Sequence, residues 1–284
     1  MESLQAAMDE VAARTGFSGV VRVDRAGRTE LAAAYGLADR AHEIPNTVET
    51  QFAVASGAKG LTAVVTEAVL PLDLRARELL GADLPLIDDR VTVDHLLTHT
   101  SGIGDYYDED VETGFEAYVL PISVHELETT EDYLKVLEGF PQLFAPGERE
   151  KYCYSGYVVL ALLAERHTGT SFYDLVQEHV LDPAGMRDTA FLRSDALPGR
   201  AAIGYLEDGR TNVFHLPVRG SGDGGVYTTL DDIDRFWAFV GDRERPARLT
   251  GADAGVSFGS VRASHTVMSN TSNGAWPILR HLQQ

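Results

Sequence analysis

Phe52-Ala53-Val54-Ala55-Ser56-Gly57-Ala58-Lys59-Gly60-Leu61-Thr62 decides the reading of this chain. The stretch opens a largely apolar run, residues 55–70, whose length and composition predict a buried helix. Within it Ser56 and Lys59 form an S-x-x-K. Residues three apart share a helical face, so the lysine amine can reach the serine hydroxyl. An unassisted serine is a poor nucleophile and needs a base beside it. A lysine held among Val54, Ala55, Leu61 and Val64 fits that task once it is neutral. A helix-capping serine next to a solvated lysine would satisfy the same spacing. The surrounding sequence has to decide.

Working outward, residues 4–13 carry apolar side chains at helical intervals, and Gly16 follows as a stop signal. Residues 18–24 and 29–35 are β-rich runs separated by Arg25-Ala26-Gly27-Arg28, which predicts a hairpin. Residues 91–237 read as mostly helical, broken by loops at 105–110 and 144–147. Residues 255–261 and 264–270 read as paired strands, and 274–282 as a closing helix. Strands at both chain ends with helices between them predict an α+β sandwich, an antiparallel sheet flanked by helices. We expect one unit over 1–284, with a sheet lobe near 1–55 and 240–284 and an inserted, mainly helical lobe near 56–239.

Composition narrows the function classes. A formal charge of −19, spread along the chain, repels phosphate backbones, so nucleic acid and anionic membrane are not expected partners. The single cysteine, Cys153, excludes an intrachain disulfide. No apolar run reaches the 18 or so residues of a spanning helix. The first residues lack the basic and apolar regions of a secretory signal, so a cytoplasmic location is expected, although a removed leader would leave the same sequence. Oligomeric state stays open.

The opening stretch resembles the nucleophile helix of the serine β-lactamase-like family, which includes class C β-lactamases, penicillin-binding proteins, D-alanyl peptidases and related esterases. Val91-Thr92-Val93-Asp94-His95-Leu96-Leu97-Thr98-His99-Thr100-Ser101-Gly102 is similar to another recognisable stretch of that family. Tyr152-Cys153-Tyr154-Ser155-Gly156-Tyr157, Leu181-Asp182-Pro183-Ala184-Gly185-Met186, Gly224-Gly225-Val226-Tyr227-Thr228-Thr229 and Ser269-Asn270-Thr271-Ser272 continue the likeness in order. The resemblance implies the β-lactamase/transpeptidase fold and a cofactor-free, metal-free serine hydrolase. Ser56 would attack, and Lys59 and Tyr152 would move protons. The family's second motif is Y-x-N; here Tyr154 replaces the asparagine amide by a bulkier phenol. Its third motif, K-[ST]-G or H-[ST]-G, aligns on Gly251-Ala252-Asp253-Ala254-Gly255, which leaves Ala252 at the cation position and Asp253 at the hydroxyl position. On that alignment the Gly255 and Ser56 N–H groups would hold the oxyanion. Loss of the cation points to a small ester or peptide-like amide as substrate, with weak action on β-lactams. The alternative is an impaired member that binds a ligand or peptide in the same cleft. Two regions, residues 69–71 and 237–249, look short for the family.

Competing motifs are weaker. Gly255-Val256-Ser257-Phe258-Gly259 matches a nucleophile elbow, but no Asp or Glu follows Ser257 and no helix is evident after it. His95 and His99 lack the glutamate of a zinc helix. Gly220-Ser221-Gly222-Asp223-Gly224-Gly225 lacks the ending of a phosphate loop and reads as a flexible turn near the site. Residues 105–110 lack calcium-loop spacing and read as a solvated acidic loop.

Overall fold

In the computed structural model, which describes residues 3–112, 114–241 and 248–283, a five-stranded antiparallel sheet draws on both ends of the chain. Helix α1 (Leu4–Thr15) ends where Gly16 turns left-handed at φ 65°, its N–H returning to the Ala12 carbonyl. Strands β1 (Gly19–Arg25) and β2 (Arg28–Tyr35) follow. Their turn sets Ala26 at φ 50° and Gly27 at φ 74°. Positive φ at both central residues matches the twist of a two-residue hairpin.

The other three strands come from the far end: β3 (Arg248–Asp253), β4 (Val256–Val261) and β5 (His265–Ser269). The order β2-β1-β5-β4-β3 places the two chain ends side by side, with Gly19 opposite Ser269 and Val23 opposite His265. This is the expected α+β architecture.

Alternation along β1 sends side chains to two cores. Val21 and Val23 meet Met8 and Val11 of α1 and Ile278 and Leu279 of the closing helix, Ala275–Leu282. Val20 faces the larger core, which contains Phe52, Val54, Leu61 and Val64. The centre of that core is α3 (Tyr154–Thr168), whose residues 158–164 have no solvent exposure. Helix α4 (Leu230–Val240) is tied to the sheet by a bond from Trp237 Nε1 to Ser260 Oγ, 2.8 Å.

Two readings need correction. The run 55–70 is not one α-helix: residues Ala55–Ala58 form a tight 3-10 turn, and α2 proper is Lys59–Val69. Residues 91–237 are also less helical than their apolar content predicts. Between Leu97 and α3 the described chain is mostly irregular, apart from a 3-10 turn at Val124–Glu126 and a short helical stretch made of Thr130–Tyr133 and Leu134–Leu137. Side chains satisfy its backbone instead, for example Gln142 Nε2 donating to the carbonyls of Ser101 and Phe144 at 2.7 and 2.8 Å. Of the regions that look short, residues 69–71 turn out of α2 into an extended Leu70. In the other, residues 242–247 lie outside the described part.

Candidate active site

The chain enters the site through Phe52–Ala53, a short strand paired with Tyr227–Thr228. Ala55 then adopts φ 44°, a left-handed conformation that costs a residue with a Cβ about 1–2 kcal/mol. That bend sets Ser56 at the head of the 3-10 turn, partly open to the cleft, while Lys59 starts α2 and is only 7% exposed. Lys59 Nζ lies 2.9 Å from Ser56 Oγ and 2.8 Å from the backbone oxygen of Asp223. Its remaining surroundings are aromatic: the ring centres of Tyr154, Tyr152 and Tyr157 are 4.4, 5.0 and 5.6 Å away. Such faces accommodate an ammonium without forming an ion pair.

Tyr152 and Tyr154 are both in this cluster. Tyr152 is 41% exposed, and its ring lies against His99 at 4.5 Å and against the edge of Tyr154 at 5.1 Å. The Tyr154 hydroxyl turns away from the amine and donates to Glu109 Oε1 at 2.5 Å. Burial, with that bond to Glu109, holds its phenol far above the ordinary range. His99 is half-buried in the cavity wall, between the rings of Tyr152 and Tyr157. Its Nδ1 accepts the Cys153 N–H at 3.2 Å, and burial with the nearby Lys59 charge pushes its pKa down to about 4.

Two acids that the sequence reading did not assign hold these parts together. Asp105 is 8% exposed and accepts from Tyr154 N–H, Ser155 N–H and Ser155 Oγ at 2.7, 2.9 and 2.8 Å. It caps the N-terminus of α3, which carries the second motif. The solvated-loop reading therefore fails at Asp105, although Asp108 and Asp110 do reach the surface and pair with Lys151. The second acid, Asp223, belongs to the glycine-rich loop. That loop is anchored by a bond from Thr62 Oγ1 to the Gly222 carbonyl, 2.6 Å. A Cβ on Gly222 would come within 2.1 Å of the Tyr157 carbonyl oxygen, so only glycine permits this approach. Asp223 accepts a hydrogen bond from the Tyr106 hydroxyl, and burial raises its pKa. A charged residue inside a glycine run was the available signal.

The third-motif alignment also shifts. Gly251 is where β3 meets the nucleophile turn: a Cβ there would lie 2.4 Å from the Val54 oxygen and 2.8 Å from Ser56 N. The triplet facing Ser56 is therefore Leu249-Thr250-Gly251, three residues earlier than the sequence alignment put it. Gly255 sits beyond the end of β3 at φ 70°, and its N–H donates to Ser272 Oγ at 2.8 Å, so it is not available for an oxyanion. Asp253 shares the strand face of Gly251 and borders a chamber beside Ser56. Its Oδ1 accepts the Ala254 N–H at 2.9 Å, and burial, reinforced by Asp223, pushes its pKa up to about 7.

Ser56, Lys59, Tyr152 and Tyr154 open onto a cavity of about 490 Å³, whose far side is apolar, with Phe236, Trp237, Leu249 and Trp276. Arg248 stands at its edge. Ser257, the rival nucleophile, is fully buried in β4, where its Oγ donates to the Thr271 carbonyl at 2.8 Å.

The profile of the family described as Beta-lactamase matches residues 4–275. The chain belongs to the beta-lactamase family. D-aminopeptidase from Brucella anthropi is 32% identical over 232 residues, which cover 79% of this chain and 42% of that protein. The chain thus spans less than half the length of this curated relative. The crystal structure of a penicillin-binding protein from Bacillus halodurans superposes with a TM-score of 0.86 at 28% identity, covering 97% of this chain and 99% of the other. D-amino acid amidase from Ochrobactrum anthropi SV3, complexed with L-phenylalanine amide, shares the fold with a TM-score of 0.77 at 19% identity, covering 99% and 97%. No described helix is long and apolar enough to cross a membrane.

Proposed function

We propose that this family member is an acyl-serine hydrolase acting on small amides and esters. The observation that carries the reading is the 2.9 Å contact of Lys59 Nζ with Ser56 Oγ at the floor of an open cavity. In the first half-reaction Ser56 Oγ bonds to the substrate carbonyl carbon and its proton passes to neutral Lys59. The carbonyl oxygen takes the negative charge, held by the N–H groups of Ser56 and Ala252, the residue that follows Gly251 on β3. Collapse of this intermediate breaks the bond to the leaving amine or alcohol, which departs with the proton relayed through Lys59 and Tyr152. Water then repeats the sequence, releasing the acid and restoring Ser56.

The two relatives named for amide cleavage, a D-aminopeptidase and a D-amino acid amidase, support an amide substrate. The apolar Leu249 beside Thr250 and Gly251 argues against efficient capture of the carboxylate that β-lactams carry. One observation favours the second reading, a binding protein with little turnover: the Tyr154 hydroxyl is committed to Glu109 and not to the reacting groups.

Turnover of p-nitrophenyl acetate, D- and L-alaninamide, nitrocefin and benzylpenicillin tests both readings. We expect the uncharged ester to be cleaved at least a hundredfold more efficiently, by kcat/KM, than either β-lactam. Efficient benzylpenicillin hydrolysis would mean that its carboxylate is anchored elsewhere, with Arg248 the first residue to examine. No turnover of any substrate would favour the binding reading.

A further inference from the structure

Beside Ser56 lies a chamber of about 50 Å³, distinct from the main cavity; Ser56, Phe115 and Tyr154 line both spaces and divide them. A water molecule's share of liquid volume is about 30 Å³, so the chamber has room for one or two waters and none for an aromatic ring. Two carboxyls border it, and they are engaged differently. Asp223 is held on both sides, its carboxyl accepting from the Tyr106 hydroxyl and its backbone oxygen from Lys59 Nζ. Asp253 accepts the Ala254 N–H at Oδ1, 2.9 Å, and its Oδ2 accepts no hydrogen bond among the described residues. Asp253 also shares the β3 face of Gly251, where a Cβ would stand 2.8 Å from Ser56 N. Two residues along a strand cover about 6.6 Å. A water bonded to a carboxylate at about 2.8 Å and standing about 3 Å from an acyl carbon spans nearly the same distance.

We propose that Asp253 is the general base of deacylation, taking the proton from a water molecule that reaches the acyl group on Ser56 from this chamber. This rests on the acyl-serine reading above and divides its labour: Lys59 activates Ser56, and Asp253 activates the water. The water oxygen bonds to the acyl carbon as one of its protons passes to Asp253 Oδ2, and the carbonyl electron pair moves to the oxyanion held by the Ser56 and Ala252 N–H groups. Collapse breaks the bond from carbon to Oγ. The proton on Asp253 returns to Ser56 Oγ through the chamber, and the acid leaves. Other groups near Ser56 are less suited. Tyr152 lines the main cavity and not the chamber. The Tyr154 hydroxyl is given to Glu109, and the Asp223 carboxyl is taken by Tyr106. Burial pushes the Asp253 carboxyl up to about 7, so near neutral pH it can both accept a proton and give it back.

Stopped-flow hydrolysis of p-nitrophenyl acetate separates the two half-reactions. In Asp253→Asn the burst of p-nitrophenol should keep a rate within threefold of wild-type acylation, while the steady-state rate falls at least a hundredfold and the acetyl-enzyme accumulates. In Asp253→Ala, added formate should raise the steady-state rate at least tenfold by supplying a carboxylate in the space vacated. A steady-state rate in Asp253→Asn close to wild type, or an equal loss in burst and steady state, overturns the assignment of the base and leaves the acyl-serine reading intact. The wild type provides a second test, whether or not the variants fold. Methanol, small enough for the chamber, should intercept the acetyl-enzyme as methyl acetate, and 2-phenylethanol should not compete with water. Interception by 2-phenylethanol as efficient as by methanol would bring the attacking oxygen in through the main cavity and overturn the proposal. Absence of an acetyl adduct on Ser56 in both wild type and Asp253→Asn overturns the acyl-serine reading itself, and the base with it.

Discussion

Replacing Asp253 by asparagine should stabilise the protein, and more so at alkaline pH. The carboxyl pKa of Asp253 is pushed up to about 7, first by burial and then by the Asp223 charge, against the opposing pull of Lys59. An unfolded aspartate titrates near 3.9. A raised folded-state pKa means the protonated form fits the fold better. The contribution of Asp253 to stability is therefore intact below about pH 4, declines between pH 4 and 7, and is lost above 7. A three-unit shift at about 1.4 kcal/mol per unit sets an upper bound of about 4 kcal/mol at pH 8, and about 1.5 kcal/mol is already lost at pH 5. Solvent entering the chamber reduces both figures. We expect Asp253→Asn to gain about 1–3 kcal/mol over wild type between pH 5 and pH 8. Urea unfolding of both proteins at the two values measures this. Besides Asp223, the titratable groups bordering the chamber are Tyr106, Tyr107, Tyr118, Tyr154 and His215, and all of them persist in the variant, as does Lys59, so the difference between the two proteins isolates residue 253. If that difference is the same at both pH values, or if wild type is the more stable at pH 8, the carboxylate is compensated and the reasoning fails.

Lys59→Arg keeps the positive charge but removes the base, because a guanidinium does not release its proton in a protein. Esterase kcat should fall by more than tenfold; a smaller loss, under about 1.4 kcal/mol, would show that Lys59 is not the base. Gly251→Ala would put a methyl carbon 2.4 Å from the Val54 oxygen and 2.8 Å from Ser56 N, so β3 must retreat from the nucleophile turn. A loss of about 1–3 kcal/mol in stability is expected from overpacking. A fall in kcat of at least a hundredfold should accompany it, and near-wild-type kcat would mean that β3 does not supply the oxyanion donor.

What the sequence made legible was whatever depends on neighbours along the chain. The S-x-x-K spacing, the hairpin with its Ala26-Gly27 turn and the pairing of the late strands follow from local periodicity and turn chemistry. The hydrophobic run from Ala55 was visible too, but not its break into a 3-10 turn and a helix, since apolar content does not distinguish the two. What was not legible depends on approach in space. Gly251 must be glycine only because Val54 and Ser56 arrive from a distant segment, and without that contact the third motif slid to Gly255. Asp105 and Asp223 look like ordinary loop acids until α3 and Lys59 are set against them. The stretch before α3 misled for a related reason: outside residues 130–137 its apolar residues pack mostly without helical hydrogen bonds, because side chains such as Gln142 satisfy the backbone.

The central claim is a covalent bond from Ser56 Oγ to the substrate acyl group. Acid-quenched turnover of p-nitrophenyl acetate, followed by mass mapping of peptides, tests it directly. The account predicts an acetyl adduct on the peptide containing Ser56, absent in Ser56→Ala. No adduct on Ser56 under conditions of active turnover, or one that survives in Ser56→Ala at another residue, would contradict it.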